Sequence, residues 1–556
     1  MKILGISAFY HDSAAALIID GNIEAAVEEE RFSRDKHDSS FPENAVEYCL
    51  EYKDLETEDL DKVVFYEKPI QKFDRILKTA AIEFPRGYKL FSEALPEWLG
   101  KKLRARKKIR QNIGFEGDIE FVEHHRSHAA SAYYPSPFEK AAVLTIDGVG
   151  EWKTNQMFLG KSGQLDAIKH MEFPNSLGLL YSTITAFLGF MVNNDEYKVM
   201  GLASYGEPKY RDEFENFIQI NEDGSYKLNK KYFAFTYQKK MWSRKMENLL
   251  GEPRDREKED IRQRHKDIAA TLQEITEDII LKQINHLYDI TETKNICMAG
   301  GVALNSVANG KIRKNMPFEN IWVQPAAGDD GGAMGAAMDR AENKNFNIKN
   351  AYLGPSYNKE RVREVLNENN AEYRSLSREK LLESASERLA DGEIMGLYKG
   401  RLEWGPRALG NRSILADPRK EEMRDKINRK VKFREKFRPF APTVLQEHAS
   451  DYFDIEGESP YMLFVFDTKE YKKDNLSATT HVDGTSRVQT LEREQNPFYY
   501  DLIEKFYQKT GVPVLLNTSF NLKGMPIVNT PEQAYDKCFK QSDIDCILTR
   551  NFIIEN

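Results

Sequence analysis

The residues best placed to do chemistry in this chain are two histidines one helical turn apart and an aspartate that ends an apolar run. His124 and His128 lie in the Ala-rich stretch from Glu123 to Ala132. If that stretch is helical, both imidazoles share one face, where two of them hold a single ion. The run Ala141 to Ile146 reads as a buried strand that delivers Asp147 to the same region, because an apolar β-run stops where polar chemistry begins. Two imidazoles and a carboxylate suit iron(II) or zinc, with positions left open for a substrate oxygen. The plainer alternative is that His124, His125 and His128 are surface or capping groups. Farther along, after the run Ile321 to Gln324, Asp330 opens an expected helix in a glycine-rich turn, where it would complete the metal shell and serve as an N-cap.

Other segments favour anions. Ile296 to Ala299 reads as a short strand followed by Gly300-Gly301 and an expected helix reached through Asn305. Glycines admit close approach of backbone N–H groups to phosphate, and a helix start favours negative charge. Lys198 stands near Gly201 among small residues, as a phosphate or ribose contact requires. In the last third of the chain, cations crowd among glycines, prolines and aromatics. Glu403 to Ser413 carries Arg407, Lys432 to Pro442 carries Lys432 and Arg438, His481 to Gln489 carries Arg487, and Leu516 to Asn521 carries Ser519. Arginine forks match phosphate oxygens, so these segments read as a site for ATP or an acyl phosphate. The basic run from Lys101 to Arg110 reads first as a solvated helix face and second as a grip on an anionic substrate.

The elements that must position these groups follow from periodicity. Lys2 to Ser7 reads as a strand, and Ala14 to Ile19 with Asn22 to Val27 as a hairpin turned at Asp20-Gly21. The phrase recurs as a strand Val143 to Asp147, a loop Gly148 to Gly150, and a hairpin of Gln156 to Gly160 with Leu165 to His170. Such a duplication predicts the ribonuclease-H-like fold of actin and sugar kinases, with nucleotide in a cleft. A polar stretch after Leu353-Gly354-Pro355 marks a domain boundary near 355, giving domains 1–355 and 356–556, with a second core starting at Ile394 to Tyr398.

With 556 residues the chain is too long for one core. Its formal charge of -8 argues against a surface built for nucleic acid. Cys49, Cys297, Cys538 and Cys546 have neither disulfide-framework nor zinc-ribbon spacing, which fits a reducing cytoplasm. The opening residues lack a secretory pattern, and Leu177 to Val192 reads as a buried helix rather than a span.

The phrases His124 to Ala132, Glu403 to Ser413, Phe437 to Pro442, and Asn517 to Asn521 with Gly524 and Pro526 to Val528 resemble the nodulation-protein-U type O-carbamoyltransferases along essentially the whole chain. The resemblance implies a TsaD-like, actin-like N-terminal domain and a YrdC-like α/β C-terminal domain. The latter would form carbamoyl adenylate from carbamoyl phosphate and ATP, with Mg2+ accompanying the nucleotide. The former would transfer the carbamoyl group to a hydroxyl of a small molecule or carbohydrate. It also implies iron(II) or another divalent ion at His124, His128, Asp147 and Asp330. Lys432, Arg438, Arg487 and Ser519, with Arg407, would contact the anion and adenylate. Lys198, Gly201, Gly300, Gly301 and Asn305 would line the N-terminal nucleotide cleft. His11, with Lys36 near it, would deprotonate or orient the acceptor hydroxyl. Neither nucleic acid nor membrane is an expected partner, and a homodimer is. The alternatives are an actin-fold sugar kinase with Asp147 as base, and a tRNA-modification protein using the basic run.

Overall fold

The computed structural model describes residues 1–556 except Lys101, Lys349, Lys436 and Asn556. It divides into two compact units, Met1–Glu29 with His37–Ile348, and Glu30–Lys36 with Lys349–Asn556.

The first unit holds two five-stranded sheets. One is built from β1 (Lys2–Ser7), β2 (Ala14–Ile19), β3 (Asn22–Glu28), β4 (Lys62–Phe65) and β5 (Asp118–Phe121), in the order β3-β2-β1-β4-β5. The other uses β6 (Lys140–Ile146), β7 (Lys153–Lys161) and β8 (Gln164–Glu172). A small ribbon of β9 (Ile218–Ile220) and β10 (Tyr226–Leu228) follows, and β11 (Asn295–Ala299) and β12 (Asn320–Val323) complete the second sheet in the order β12-β11-β6-β7-β8. Numbered from its own first strand, each sheet runs 3-2-1-4-5. In each, the first three strands are antiparallel neighbours and the last two join parallel to the first. This is the duplicated ribonuclease-H-like, actin-like α/β fold.

The strand interiors show why these segments pair. β1, β2 and β6 are buried almost throughout, as sheets covered on both faces require. The first hairpin turns at Asp20-Gly21, with both residues at positive φ, and carries a bulge between Leu17 and Ile18. The second is longer than its expected core and turns at Ser162-Gly163.

Each fifth strand leads into a helix, His124–Tyr133 after β5 and Asp329–Arg340 after β12. These helices pack at backbone distance, since a Cβ on Gly335 would lie 1.9 Å from the Ser127 carbonyl oxygen. The segment read as Leu177 to Val192 is a helix only over Leu177–Phe187, stopping before Gly189 at φ 75°. Among the described residues no helix is long and apolar enough to cross a membrane.

The second unit is organised on an eight-stranded mixed sheet in the order β13-β22-β21-β14-β15-β20-β16-β19. Its strands are β13 (Tyr373–Ser375), β14 (Met395–Tyr398), β15 (Arg412–Ala416), β16 (Ala441–Leu445), β19 (Gln489–Leu491), β20 (Val514–Ser519), β21 (Cys546–Thr549) and β22 (Phe552–Glu555). A separate ribbon pairs β17 (Val465–Asp467) with β18 (Thr485–Arg487). Phe520 lies so close over Gly396 that a Cβ there would meet its ring at 2.6 Å. The unit also takes in residues 30–36 from the start of the chain. Arg31 donates to the Gly405 carbonyl at 2.9 Å, and Arg34 to the carbonyls of Pro526 and Ile527 at 2.7 Å each. Such long-range partnership is invisible to a linear reading of domains.

Candidate active site

In the first unit, four buried side chains converge from equivalent elements of the two repeats. His124 is the first residue of its helix, and the chain before it is held by Glu151, whose carboxylate accepts the N–H groups of His124 and Lys68. His128 follows one turn later. Asp147 sits just past the end of β6. The helix start at Leu177 locks it there, because a Cβ on Gly178 would press to 2.7 Å of the Asp147 carbonyl and Ser176 Oγ donates to the Gly148 carbonyl. The fourth member is Asp329, the first residue of the helix after β12.

The donor atoms cluster tightly. The two Nε2 atoms are 3.1 Å apart, Asp147 Oδ2 is 2.7 Å from His124 Nε2 and 3.7 Å from His128 Nε2, and Asp329 Oδ1 lies 3.7 and 3.6 Å from the same two nitrogens. Ligands bonded to one ion at about 2.0–2.2 Å stand roughly 3.0–3.6 Å from their neighbours, so this set fits a single divalent cation. Among the described residues, Asp329 Oδ1 is buried without a hydrogen-bond partner, as a group awaiting a cation would be. Electrostatics agree. Burial works against a charged His128, yet Asp147 and Asp329 outweigh it and push its pKa up to about 9, so the pocket favours positive charge.

The expected ligand Asp330 is not in this group. Its carboxylate accepts the N–H of its own neighbour Gly331, and burial, followed by the nearby Glu28 and Asp12, pushes its pKa well up. The helix begins one residue earlier than expected, and a one-residue step along a helix turns a side chain by about 100°, so the adjacent aspartate faces the histidines instead. His125 also faces elsewhere, with Nδ1 against Thr145 Oγ1 at 2.8 Å and Nε2 against the Lys153 carbonyl at 3.0 Å.

His11 belongs to the loop after β1, the counterpart of the Asp147 loop in the other repeat. Its Nδ1 is 2.8 Å from Asp12 and its Nε2 is 3.9 Å from Asp329 Oδ2. Asp12 also binds His37 Nδ1 at 2.7 Å. Burial lowers the His11 pKa, but Asp329 and Asp12 together drive it well above the ordinary histidine value. Asp12 and His37 were not singled out from sequence; their signal was the His-Asp pair directly after a strand. Lys36 belongs to the second unit and directly precedes His37 in the chain.

The glycine turn is tied to the same centre. Gly300 adopts φ 92°, where a Cβ would also strike the Ile146 carbonyl at 2.3 Å, and Gly301 donates its N–H to Asp147 Oδ1 at 3.2 Å. A short 3-10 turn, Gly301–Leu304, precedes the helix Ser306–Asn315. Asn305 caps that helix through Ala308 N–H and exchanges hydrogen bonds with Gln273. Lys198 pairs with Asp195 at 2.8 Å, one turn before Gly201 in the helix Glu196–Ala203.

The second unit holds a cationic centre. Lys432 Nζ donates to Asn521 Oδ1 at 2.7 Å and to Ser519 Oγ at 3.3 Å, and Ser519 Oγ donates to Asn521 Oδ1 at 2.8 Å. Burial, then Arg434 and Arg438, pull the Lys432 pKa well down. Burial, then Arg407, Arg434 and Arg438, do the same at Arg487. A guanidinium does not readily surrender its proton, so this crowding of positive charge would suit an anion. The preceding loop is pinned by Glu403, whose Oε1 accepts the N–H groups of Leu409, Asn411 and Arg412. Arg412 itself is fully buried, donating to the carbonyls of Lys399 and Gly400 beside the Tyr398 ring.

Two histidines and two aspartates thus gather at the equivalent helix starts and strand ends of a duplicated actin-like body, and the other unit holds a cluster of buried cations. The chain belongs to the carbamoyltransferase family. The profile of the carbamoyltransferase N-terminus matches residues 2–338 and that of the carbamoyltransferase C-terminus residues 386–556. An uncharacterised protein of Synechocystis is 44% identical, covering 99% of this chain and 96% of its own. Nodulation protein NolNO of Sinorhizobium fredii is 38% identical over 99% of this chain and 79% of its own. An uncharacterised protein of Methanocaldococcus jannaschii is 34% identical over 100% and 99%. The protein is therefore a carbamoyltransferase, an enzyme that moves a carbamoyl group to an acceptor.

Proposed function

We propose that the protein is an ATP-dependent O-carbamoyltransferase working in two steps, with carbamoyl adenylate made in the second unit and consumed in the first. In the first step, water releases phosphate from carbamoyl phosphate to give carbamate, whose oxygen attacks the α-phosphorus of ATP and expels pyrophosphate. Arg438, Arg487 and Arg407 would hold the phosphate oxygens, with Lys432 and Ser519 against the adenylate; Mg2+ would accompany ATP. In the second step, an acceptor hydroxyl oxygen attacks the carbamoyl carbon, AMP leaves, and the hydroxyl proton passes to a base. Adenylation turns carbamate, a poor acyl donor, into one with a good leaving group.

The observation that carries this reading is the presence in one chain of two chemically different centres, a crowd of buried cations in one unit and a buried two-histidine, two-aspartate group in the other. His124, His128, Asp147 and Asp329 would hold iron(II) or another divalent ion, which when bound supplies Lewis-acid stabilisation of charge on the leaving phosphate. Gly301 and Asp12 contribute positioning. Gly301 N–H fixes one oxygen of Asp147. Asp12, accepting Nδ1–H of His11, leaves Nε2 as the atom that takes the acceptor proton. With Asp329 committed to a held cation, its pull toward a charged His11 would be weakened, and the ring would serve as the base.

Incubation with ATP and carbamoyl phosphate tests the proposal. Pyrophosphate release that depends on carbamoyl phosphate supports it, and ADP release with a sugar as phosphoryl acceptor would sink it in favour of a kinase. The acceptor is sought as a hydroxyl compound gaining the mass of one carbamoyl group.

A further inference from the structure

The basic run that the two-step reading leaves unused reaches the neighbourhood of His11. Lys102 Nζ lies 5.7 Å from the ring centre of Tyr10 and 5.1 Å from that of Trp98. Tyr10 in turn packs against His11 in a tilted arrangement, with ring centres 4.4 Å apart and planes at 42°. Behind Tyr10 stands Lys72, its Nζ 4.5 Å from the same ring, and one turn farther along the helix Pro69–Ile82 is Arg75, which donates to the Gly150 carbonyl at 3.0 Å. Gly150 packs directly on His124. A strip of cations and aromatic rings therefore leads from the basic run to the ring that is to take the acceptor's proton.

The charges along this strip do not cancel. Glu67 is committed to Lys72 in a buried ion pair, and Glu151 to the backbone N–H groups of His124 and Lys68. Arg75 spends its guanidinium on a neutral carbonyl and an aromatic face, that of Phe173 at 5.2 Å. Lys102 is mostly buried, at 13% side-chain exposure, while its acidic neighbour Glu97, at 3.4 Å, is 57% exposed and so is a weak, screened partner. Among the described residues this solvated carboxylate is the one ion-pair partner of Lys102, and the other nearby acid, Glu67, is already taken by Lys72; a half-sequestered ammonium between two aromatic rings with so weak a partner is a poor structural device and a good anion contact.

We infer that this strip, Lys102 with Tyr10 and Trp98, is the acceptor subsite, and that it selects polyhydroxyl acceptors carrying an anionic group, a phosphate or a carboxylate. The anion meets Lys102, the scaffold lies along Tyr10, and the hydroxyl to be carbamoylated is presented to His11. The inference rests on the reading that transfer occurs in the first unit. It adds the chemical class of acceptor.

Trp98 provides a local reporter. Its emission is taken as the difference between the full-length protein and the Trp98→Phe variant, during titration with glucose 6-phosphate, glucuronate, glucose and inorganic phosphate. At least one of the two sugar anions is expected to give a saturable change, with glucose and inorganic phosphate binding at least about tenfold more weakly. Lys102→Glu should weaken the anion about tenfold or more, and Lys102→Arg should restore it. Glucose binding as well as the anions, inorganic phosphate binding as well as glucose 6-phosphate, an unchanged Lys102→Glu protein, or no response to either sugar anion would each overturn the inference. The titration needs neither ATP nor carbamoyl phosphate. Its failure therefore leaves the two-step reaction standing, and failure of carbamoyl-dependent pyrophosphate release leaves this titration interpretable.

Discussion

His124 and Asp329 occupy the same place in two copies of one pattern, each being the first residue of the helix that follows a fifth strand. His11 and Asp147 are paired likewise, in the loops after the first strands. The fold duplication thus supplies both halves of the site, and the contact between the two helices sets the distance between the halves.

The ligand set makes a direct prediction. Asp329→Asn should lower divalent-metal affinity at least about tenfold, whereas Asp330→Asn should leave it near that of the parent protein. Metal content after equilibration with buffered iron(II), measured by elemental analysis, decides between the neighbouring aspartates.

Gly335→Ala places a methyl group into the Ser127 carbonyl, so the two helices must separate. A loss of about 1–3 kcal/mol of stability is expected, read by denaturant unfolding, together with weaker metal binding. An alanine that leaves both unchanged would show that the close approach is not needed.

The division of labour predicts opposite phenotypes. His128→Ala should abolish acceptor carbamoylation and retain carbamoyl-dependent pyrophosphate release, while Arg438→Ala should suppress pyrophosphate release itself. If His128→Ala stops both equally, the assignment of steps to units is wrong.

Asp12→Asn should slow transfer roughly a hundredfold or more, the range lost with a misoriented general base, with pyrophosphate release intact. Single-turnover transfer from preformed carbamoyl adenylate is the appropriate readout.

His265 predicts a pH effect away from the site. Its Nδ1 accepts the Arg262 N–H at the start of the helix Gln263–Thr291, and burial, then Arg264, lower its pKa to about 4. Because the folded value lies below the unfolded one, its stabilising contribution is complete above about pH 6.5 and is lost as pH falls toward 4. His265→Asn, which keeps an acceptor and removes the titration, should flatten stability across that window in thermal melts.

Much of this was legible in the order of residues. The two hairpins announced the duplication, and the four-residue spacing of His124 and His128 needed only a helix to become a shared face. Asp147 was legible because β6 is apolar to its last residue. What failed was a matter of helix phase. Asp329 and Asp330 are chemically identical, and only the point at which the helix starts decides which one faces the histidines. The place of residues 30–36 in the second unit was not legible for another reason. Residues 30–36 are mostly charged and read as a solvated segment, whereas Arg31 and Arg34 find their carbonyl partners hundreds of positions away.

That excursion has a consequence for how the molecule is made. Arg31 and Arg34 are made long before their partners at Gly405 and the Pro526-Ile527 pair. The second unit thus gains these anchors only once residues 30–36 can pair with carbonyls made much later. Expressed from residue 349 onward, it would lack two of its own anchors, and adding a peptide containing residues 30–36 in trans should restore part of the lost stability.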